Sequence, residues 1–234
     1  MSTYITGDCH GDYEHIARFC NKLHTTKKDL LIILGDVAAN WDGSIHDKLR
    51  KSYLENLPIT YLCVHGNHDS RPYKDKKVEL HQFKHGKVWT NPEFPSIHFA
   101  KDGEIFNIDK KCTIVIGGAY SVDKPLRIKN GWTWHNDEQP DDKIKKYVED
   151  QLYKVRWNVD IVLSHTVPYN YRPTDLFIKG LDQSTVDSST EEWLQKIENK
   201  LTYKKWYAGH YHCERKIDKI EIMYNNFDEF ARFV

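Results

Sequence analysis

The chain reads as an α/β layered fold, and three observations carry that reading. Six short apolar runs of strand length recur along the 234 residues, and helical patterns lie between most of them. No Pro/Gly/Ser-rich linker divides the chain, so one domain spanning 1–234 is expected. The apolar runs are continuous rather than alternating, as in strands covered on both faces by other layers.

The first run, TYIT (3–6), ends in Gly7-Asp8-Cys9-His10. In the following DYEHIARFCNKL (12–23), Ile16, Phe19, Cys20 and Leu23 fall on one helix face. LLIIL (30–34) runs into Gly35-Asp36, and IHDKLRKSYLENL (45–57) repeats the helical spacing. ITYLCV (59–64) ends in His65-Gly66-Asn67-His68-Asp69. Residues 85–111 read as short strands and turns, with hairpins around Lys101-Asp102-Gly103-Glu104. CTIVIGG (112–118) leads into residues 119–140, which read as a long, Trp-rich polar loop. DDKIKKYVEDQLYKV (141–155) is helical, and DIVLS (160–164) is a strand that precedes His165. TEEWLQKIENKL (190–201) is a helix with an acidic first turn. KKWYA (204–208) is a strand before Gly209-His210-Tyr211-His212, and NNFDEF (225–230) closes the chain with a strand and turn.

Composition narrows the functions. Lys+Arg and Asp+Glu are both 34, a formal net charge of +0, which disfavours long nucleic acid as a partner. Hydrophobic residues at 39% and aromatics at 13% argue for a folded chain rather than disorder. The 5 cysteines are odd in number and form no C-x-x-C pair, so neither a disulfide framework nor a structural zinc site is expected. Reduced thiols, a start without a secretory pattern and no apolar run of ~18 residues predict a cytoplasmic protein without a membrane partner.

The chemistry lies at the strand ends. Asp8 and His10 follow the first strand, Asp36 and Asn40 the second, and Asn67, His68 and Asp69 the third. His165 follows a later strand, and His210 and His212 follow the last of the alternating series. In an α/β layer fold the carboxyl ends of the strands share one edge, where ligands bind. Singly, such Asp and Asn residues are ordinary turn and cap formers. Together, Asp8, His10, Asp36, Asn67, His165, His210 and His212 exceed the four donors of a structural zinc site. Carboxylate and amide oxygens suit Mn, Mg or Fe, and imidazole suits Zn or Fe and accepts Mn. The set is large enough for two metals sharing a carboxylate, an arrangement that acts on phosphorus. Asn67 and His68 are adjacent, so if one enters the cluster the other is free for acid/base work. Cys9 alternates with Asp8 and His10 along an extended segment and is expected in the core.

The blocks Asp8-Cys9-His10, Gly35-Asp36, Gly66-Asn67-His68-Asp69, His165 and Gly209-His210-Tyr211-His212, in this order, resemble the signature of the calcineurin-like metallophosphoesterases. The resemblance implies a single-domain metallophosphoesterase-type sandwich of mixed β-sheets flanked by α-helices. It implies two divalent metal ions, Mn first with Fe, Zn or Mg as alternatives. Asp8, His10, Asp36 and His212 would hold one, and Asp36, Asn67, His165 and His210 the other, with Asp36 bridging. Members of the family attack a phosphoester with a water or hydroxide held between the metals. His68 would then serve the leaving oxygen as general acid, with Asp69 orienting it.

The second block departs from the Ser/Thr protein phosphatases. It reads GDVAAN and lacks their Asp-Arg-Gly, so a protein substrate is disfavoured; Asn40 lies close to the missing arginine and is expected to touch substrate or shape the loop. The loop after CTIVI brings Ser121, Lys124 and Arg127 toward the rim, a loose similarity to RNA lariat debranching enzymes, which replace the first-block Asp by Cys. Arg127, Trp132 and Trp134 are expected to bind an anionic substrate and stack on a base. The expected function is a metal-dependent phosphodiesterase acting on a nucleotide or an oligonucleotide end. A phosphomonoesterase is the alternative, and a non-catalytic scaffold of the same fold is the alternative of another class.

Overall fold

The structure, a computed structural model, describes residues 1–177, 179–180, 182–232 and 234. In chain order the elements are β1 (Thr3–Thr6), α1 (Glu14–Leu23), β2 (Leu30–Ile33), α2 (Ile45–Asn56) and β3 (Thr60–Cys63). Next come β4 (Glu79–Phe83), β5 (Gly86–Thr90), β6 (Ile97–Ala100), β7 (Ile105–Ile108), β8 (Lys111–Ile116) and α3 (Lys124–Asn130). The remainder is α4 (Asp142–Lys154), β9 (Ile161–Ser164), α5 (Ser189–Glu198), β10 (Lys205–Ala208), β11 (Arg215–Ile217), β12 (Ile220–Ile222) and β13 (Asp228–Glu229).

These strands form two mixed sheets. One has the order β13-β1-β2-β3-β6-β5-β4, the other β11-β12-β10-β9-β8-β7. Ile5, Ile32, Leu62 and Val64 of the first sheet meet Val115, Ile161, Leu163 and Tyr207 of the second in a fully buried layer. On the outer face of the first sheet, Leu31, Ile33 and Tyr61 pack against Ile16 and Cys20 of α1 and Leu54 of α2, with Cys9 in the same cluster. Across the molecule, Ile114, Val162 and Trp206 pack against Val148 and Leu152 of α4 and Leu194 and Ile197 of α5. Helices therefore cover both outer faces, which is why the strand runs are apolar without alternation.

Register decides where function can sit. In the first sheet Thr6 pairs with Ile33 and Ile33 with Cys63, all in parallel strands. In the second, Ile116 pairs with Ser164 and Ser164 with Ala208. The carboxyl ends are thus flush, and the segments that leave them emerge on one rim.

Two expectations change. The Lys101–Glu104 turn is not a hairpin; it carries the chain from β6 in one sheet to β7 in the other. The hairpins close instead at Lys84-His85, between β4 and β5, and at Asp109-Lys110, between β7 and β8. Residues 119–140 are not a continuous loop either. They contain α3, a short helix ended by Gly131 in the left-handed region, where glycine is unstrained.

Candidate metal centre

All seven residues expected to bind metal meet at this rim. Ligand atoms of Asp8, His10 and His212 lie within 4.8 Å of one another, as do those of Asp8, Asp36 and His165. His10 Nε2 is 2.8 Å from His212 Nε2, and His212 Nε2 is 3.3 Å from Asp8 Oδ2. Asn67 Oδ1 stands 2.7 Å from His165 Nε2 and 3.0 Å from His210 Nδ1. Asp36 lies between the groups, with His10 Nε2 3.8 Å from one oxygen and His165 Nε2 3.8 Å from the other.

The local backbone explains how short loops deliver so many groups. His10, Asp36, His210 and His212 have φ of 48°, 47°, 70° and 47°, a region that residues other than glycine seldom adopt. Each lies in the short segment that follows a strand, where this conformation bends the chain at the rim. Gly209 permits a close approach: a Cβ there would lie 2.2 Å from Asp8 Oδ1. Gly35, at φ 111°, would place a Cβ 2.2 Å from His165 Nδ1. Asp8 in turn accepts the His210 backbone N–H at 3.0 and 3.2 Å.

The donor set suits cations. His165 donates from Nδ1 to the Leu34 carbonyl, which can only accept, so in the neutral ring Nε2 carries a lone pair. That lone pair faces Asn67 Oδ1, also an acceptor, because Asn67 Nδ2 donates to Ser121 Oγ at 2.8 Å. Acceptors converging on one another in a buried site are stabilised when a cation sits among them. Burial would raise the Asp8 carboxyl, but contact with His10, the nearby His165 and His212, and the His210 N–H outweigh it and hold Asp8 low and ionised. Burial, reinforced by neighbouring His165, holds His210 well below its ordinary value, so its ring is neutral and able to ligate.

Ser121 is held by Glu138, which sequence reasoning did not single out. Ser121 Oγ and Trp134 Nε1 both donate to Glu138 Oε2, at 2.6 and 2.8 Å. With its proton so committed, Ser121 Oγ must accept from Asn67, and the Asn67 amide is turned with its oxygen toward the histidines. Trp134 is thus tied into the support of the centre rather than presented to substrate.

His68 ligates with none of these groups. Its Nε2 is 3.9 Å from Asp36 Oδ2, and its backbone N–H donates to Asp36 Oδ1 at 2.9 Å. Burial lowers its pKa, with Arg127 and His10 adding to the effect against Asp36 and Asp123. Trp41, also unforeseen, stacks on the His68 ring with centroids 5.7 Å apart and planes at 27°.

Asp69 does not orient His68. Its two oxygens accept the backbone N–H groups of Val37 and Ala38, at 3.1 and 2.9 Å. It therefore fixes the loop that carries Asp36. Burial and the neighbouring Asp36 carboxylate push Asp69 up to about 7 despite these two bonds.

None of the expected substrate-binding residues lines the cavity over the metal rim. Arg127 is held by Asp123 at 2.8 Å, by the Thr133 carbonyl at 3.2 Å and by the Trp41 ring, 5.5 Å away. Trp132 is exposed and does not line the cavity at the metal rim. Asn40 faces a separate cavity. The cavity over the metal rim, about 380 Å³, is lined by Asp36, Asn67, His68, His210 and His212 and walled by Tyr120, Asp123, Arg172, Phe177 and Tyr211. A polar stretch of short turns after His165 gave no periodic signal that would have marked Arg172 or Phe177.

A family model described as calcineurin-like phosphoesterase matches residues 1–214. The chain belongs to the calcineurin-like phosphoesterases. Curated relatives named "Bis(5'-nucleosyl)-tetraphosphatase, symmetrical", from Escherichia coli and Shigella boydii, are 40% identical over 70 residues. That match spans 30% of this chain and 24% of the relatives' length. Among solved structures, TT1561 of Thermus thermophilus has the same fold, with a TM-score of 0.54 at 13% identity over 96% of this chain and 89% of that one. A phosphopantetheinyl hydrolase from Mycobacterium tuberculosis aligns with a TM-score of 0.48 at 15% identity, covering 95% and 88%. The family is typically dependent on divalent metals, and the clustered Asp8, Asp36 and His165 are fit to hold them. No helix among the described residues is long and apolar enough to cross a membrane.

Proposed function

We propose that the protein is a metal-dependent hydrolase of phosphodiesters, acting on a nucleotide-like substrate. The observation that carries this is the combination of converging ligand sets with an imidazole, His68, that stands beside them in the same cavity and belongs to neither. Asp8, His10, Asp36 and His212 would hold one divalent ion, and Asp36, Asn67, His165 and His210 the other. Mn²⁺ suits this mixture of carboxylate, amide and imidazole donors. Such ions supply Lewis-acid stabilisation of phosphoryl charge and a nucleophile from water at neutral pH.

The remaining work falls to side chains of the cavity. His68 is held neutral at rest and still donates one N–H, aimed at the leaving oxygen. The negative charge of an arriving phosphoryl group favours its protonation, which suits it to neutralise the departing alkoxide. Trp41 keeps the ring in plane. Arg172, with Tyr120, Phe177 and Tyr211, offers a cation and aromatic faces for the rest of the substrate. A cavity of about 380 Å³ is in the range of small-molecule sites. The partial match to relatives named for a nucleotide polyphosphate supports a nucleotide over a protein substrate.

The test is hydrolysis of bis-p-nitrophenyl phosphate and p-nitrophenyl phosphate with Mn²⁺, with chelator, and with His68→Ala. We expect Mn²⁺-driven diester cleavage, stopped by chelator and reduced by about 10²–10⁴-fold in kcat by His68→Ala. Faster monoester cleavage would make the protein a phosphomonoesterase. No turnover with any metal, alongside binding of two ions, would make it a scaffold.

A further inference from the structure

An imidazole that acts as an acid is ordinarily aimed by a hydrogen bond to its second nitrogen. The His68 ring has no such bond among the described residues. Asp36 Oδ2 stands 3.9 Å from its Nε2, beyond hydrogen-bond length, and the adjacent Asp69 is spent on Val37 and Ala38. Ring contacts hold it instead. Trp41 stacks on it with centroids 5.7 Å apart and planes at 27°, and His10 lies 5.7 Å away at 58°.

Trp41 belongs to none of the buried apolar clusters, so core packing does not fix its ring. The guanidinium of Arg127 lies over that ring, with Cζ 5.5 Å from the centroid. Arg127 is itself anchored twice: Nε donates to Asp123 Oδ2 at 2.8 Å and Nη1 to the Thr133 carbonyl at 3.2 Å. Both anchors belong to the ends of α3. Asp123 precedes its first turn, and Gly131, at φ 65°, turns the chain so that Thr133 comes back to Arg127. None of the residues of α3 is buried, so packing does not explain its sequence.

We propose that Arg127 and Trp41 are positioning residues for His68. The ends of α3 set the guanidinium, the guanidinium holds the indole, and the indole fixes the plane of the imidazole and its aim at the leaving oxygen. This rests on the reading of His68 as general acid. Arg127, expected to bind substrate, then serves the reaction without touching it. The task needs an arginine: a flat fork can meet two anchors while its face rests on a ring, and an ammonium cannot.

The test uses thymidine 5′-phosphate esterified with p-nitrophenol or with phenol, two diesters that differ only in how far the leaving oxygen needs a proton. Wild type, His68→Ala, Trp41→Leu, Trp41→Phe and Arg127→Lys are assayed with Mn²⁺. The His68 ring protons, assigned by their loss in His68→Ala, are followed by nuclear magnetic resonance in metal-free protein. We expect Trp41→Leu and Arg127→Lys to lower kcat by about tenfold or more for the phenyl ester and about threefold or less for the p-nitrophenyl ester, with KM little changed. Trp41→Phe, which keeps an aromatic face, should recover most of the phenyl-ester rate. The His68 signals should move in Arg127→Lys, which keeps the charge and loses the fork. Equal losses on both esters, or unmoved His68 signals in Arg127→Lys, would overturn the proposal. Equal losses in His68→Ala, or a wild type inert toward both esters, would remove the general-acid reading and this proposal with it.

Discussion

Removing one hydroxyl, Ser121→Ala, should disable the centre from a distance. Asn67 is 2% exposed, and its Nδ2 has Ser121 Oγ as its hydrogen-bond acceptor at 2.8 Å. Truncation leaves a buried donor unpaired, at a cost of about 1–3 kcal/mol. The cost falls on the amide orientation that points Oδ1 at His165 and His210, because the opposite orientation no longer forfeits a bond. At about 1.4 kcal/mol per factor of ten, metal affinity should drop by roughly 10–100-fold. Glu138→Gln should act in the same direction: an amide cannot accept from Ser121 Oγ, Trp134 Nε1 and the Ser121 N–H together. The assay is a Mn²⁺ titration followed by electron paramagnetic resonance, with kcat/KM for the diester and a thermal melt alongside. Unchanged Mn²⁺ affinity and unchanged kcat/KM in Ser121→Ala would refute the reasoning. A lower melting temperature with intact affinity would show that Ser121 only supports the fold.

Other perturbations should be as informative. Gly209→Ala would put a methyl 2.2 Å from Asp8 Oδ1, where about 3.4 Å is ordinary, so Asp8 must move by roughly 1 Å; we expect loss of Mn²⁺ binding in the same titration. Chelation of metal-loaded protein should lower the melting temperature by roughly 5–10 °C, since a ligand at 100 times its Kd stabilises by about 2.7 kcal/mol, and differential scanning calorimetry would show it. His98 is buried beside Thr90, and burial, with His81 adding, lowers its pKa from the ordinary 6.5 to about 4. Its contribution is complete above pH 6.5 and is lost as pH falls toward 4, because the unfolded chain takes up a proton that the folded one refuses. The drop should be roughly 2–4 kcal/mol, and denaturant midpoints of wild type and His98→Gln across pH 4–7 should show a shallower slope in the variant.

Much of the candidate site's placement was legible in the sequence because each candidate ligand is chained to a strand end. A run such as LLIIL fixes a buried strand, and the residue after it inherits a position on the rim. That logic places Asp8, Asp36, Asn67, His165 and His210 without reference to distant parts of the chain. It fails where a side chain's task depends on a remote partner. Asp69 sits beside His68 in sequence, yet its oxygens turn to Val37 and Ala38, more than thirty residues away. Trp134 looks like a stacking platform until Glu138 and Ser121 claim it. The same holds for the Lys101–Glu104 turn. Polar turn residues look alike whether the chain doubles back or crosses to another sheet, and only packing between the sheets decides.

The two sheets divide the candidate ligands between them. Asp8, His10, Asp36 and Asn67 leave β1, β2 and β3, whereas His165, His210 and His212 leave β9 and β10. Each donor cluster, Asp8-His10-His212 and Asp8-Asp36-His165, draws on both. Neither half of the molecule holds a complete site, and during synthesis the first half emerges about a hundred residues ahead of the second. A chain still being made, or one whose sheets have met out of register, carries only fragments of the candidate centre. On the proposed reading, metal would be held there only once His212, the last of the candidate ligands, has been threaded into place, so that occupancy of the centre would report a finished fold.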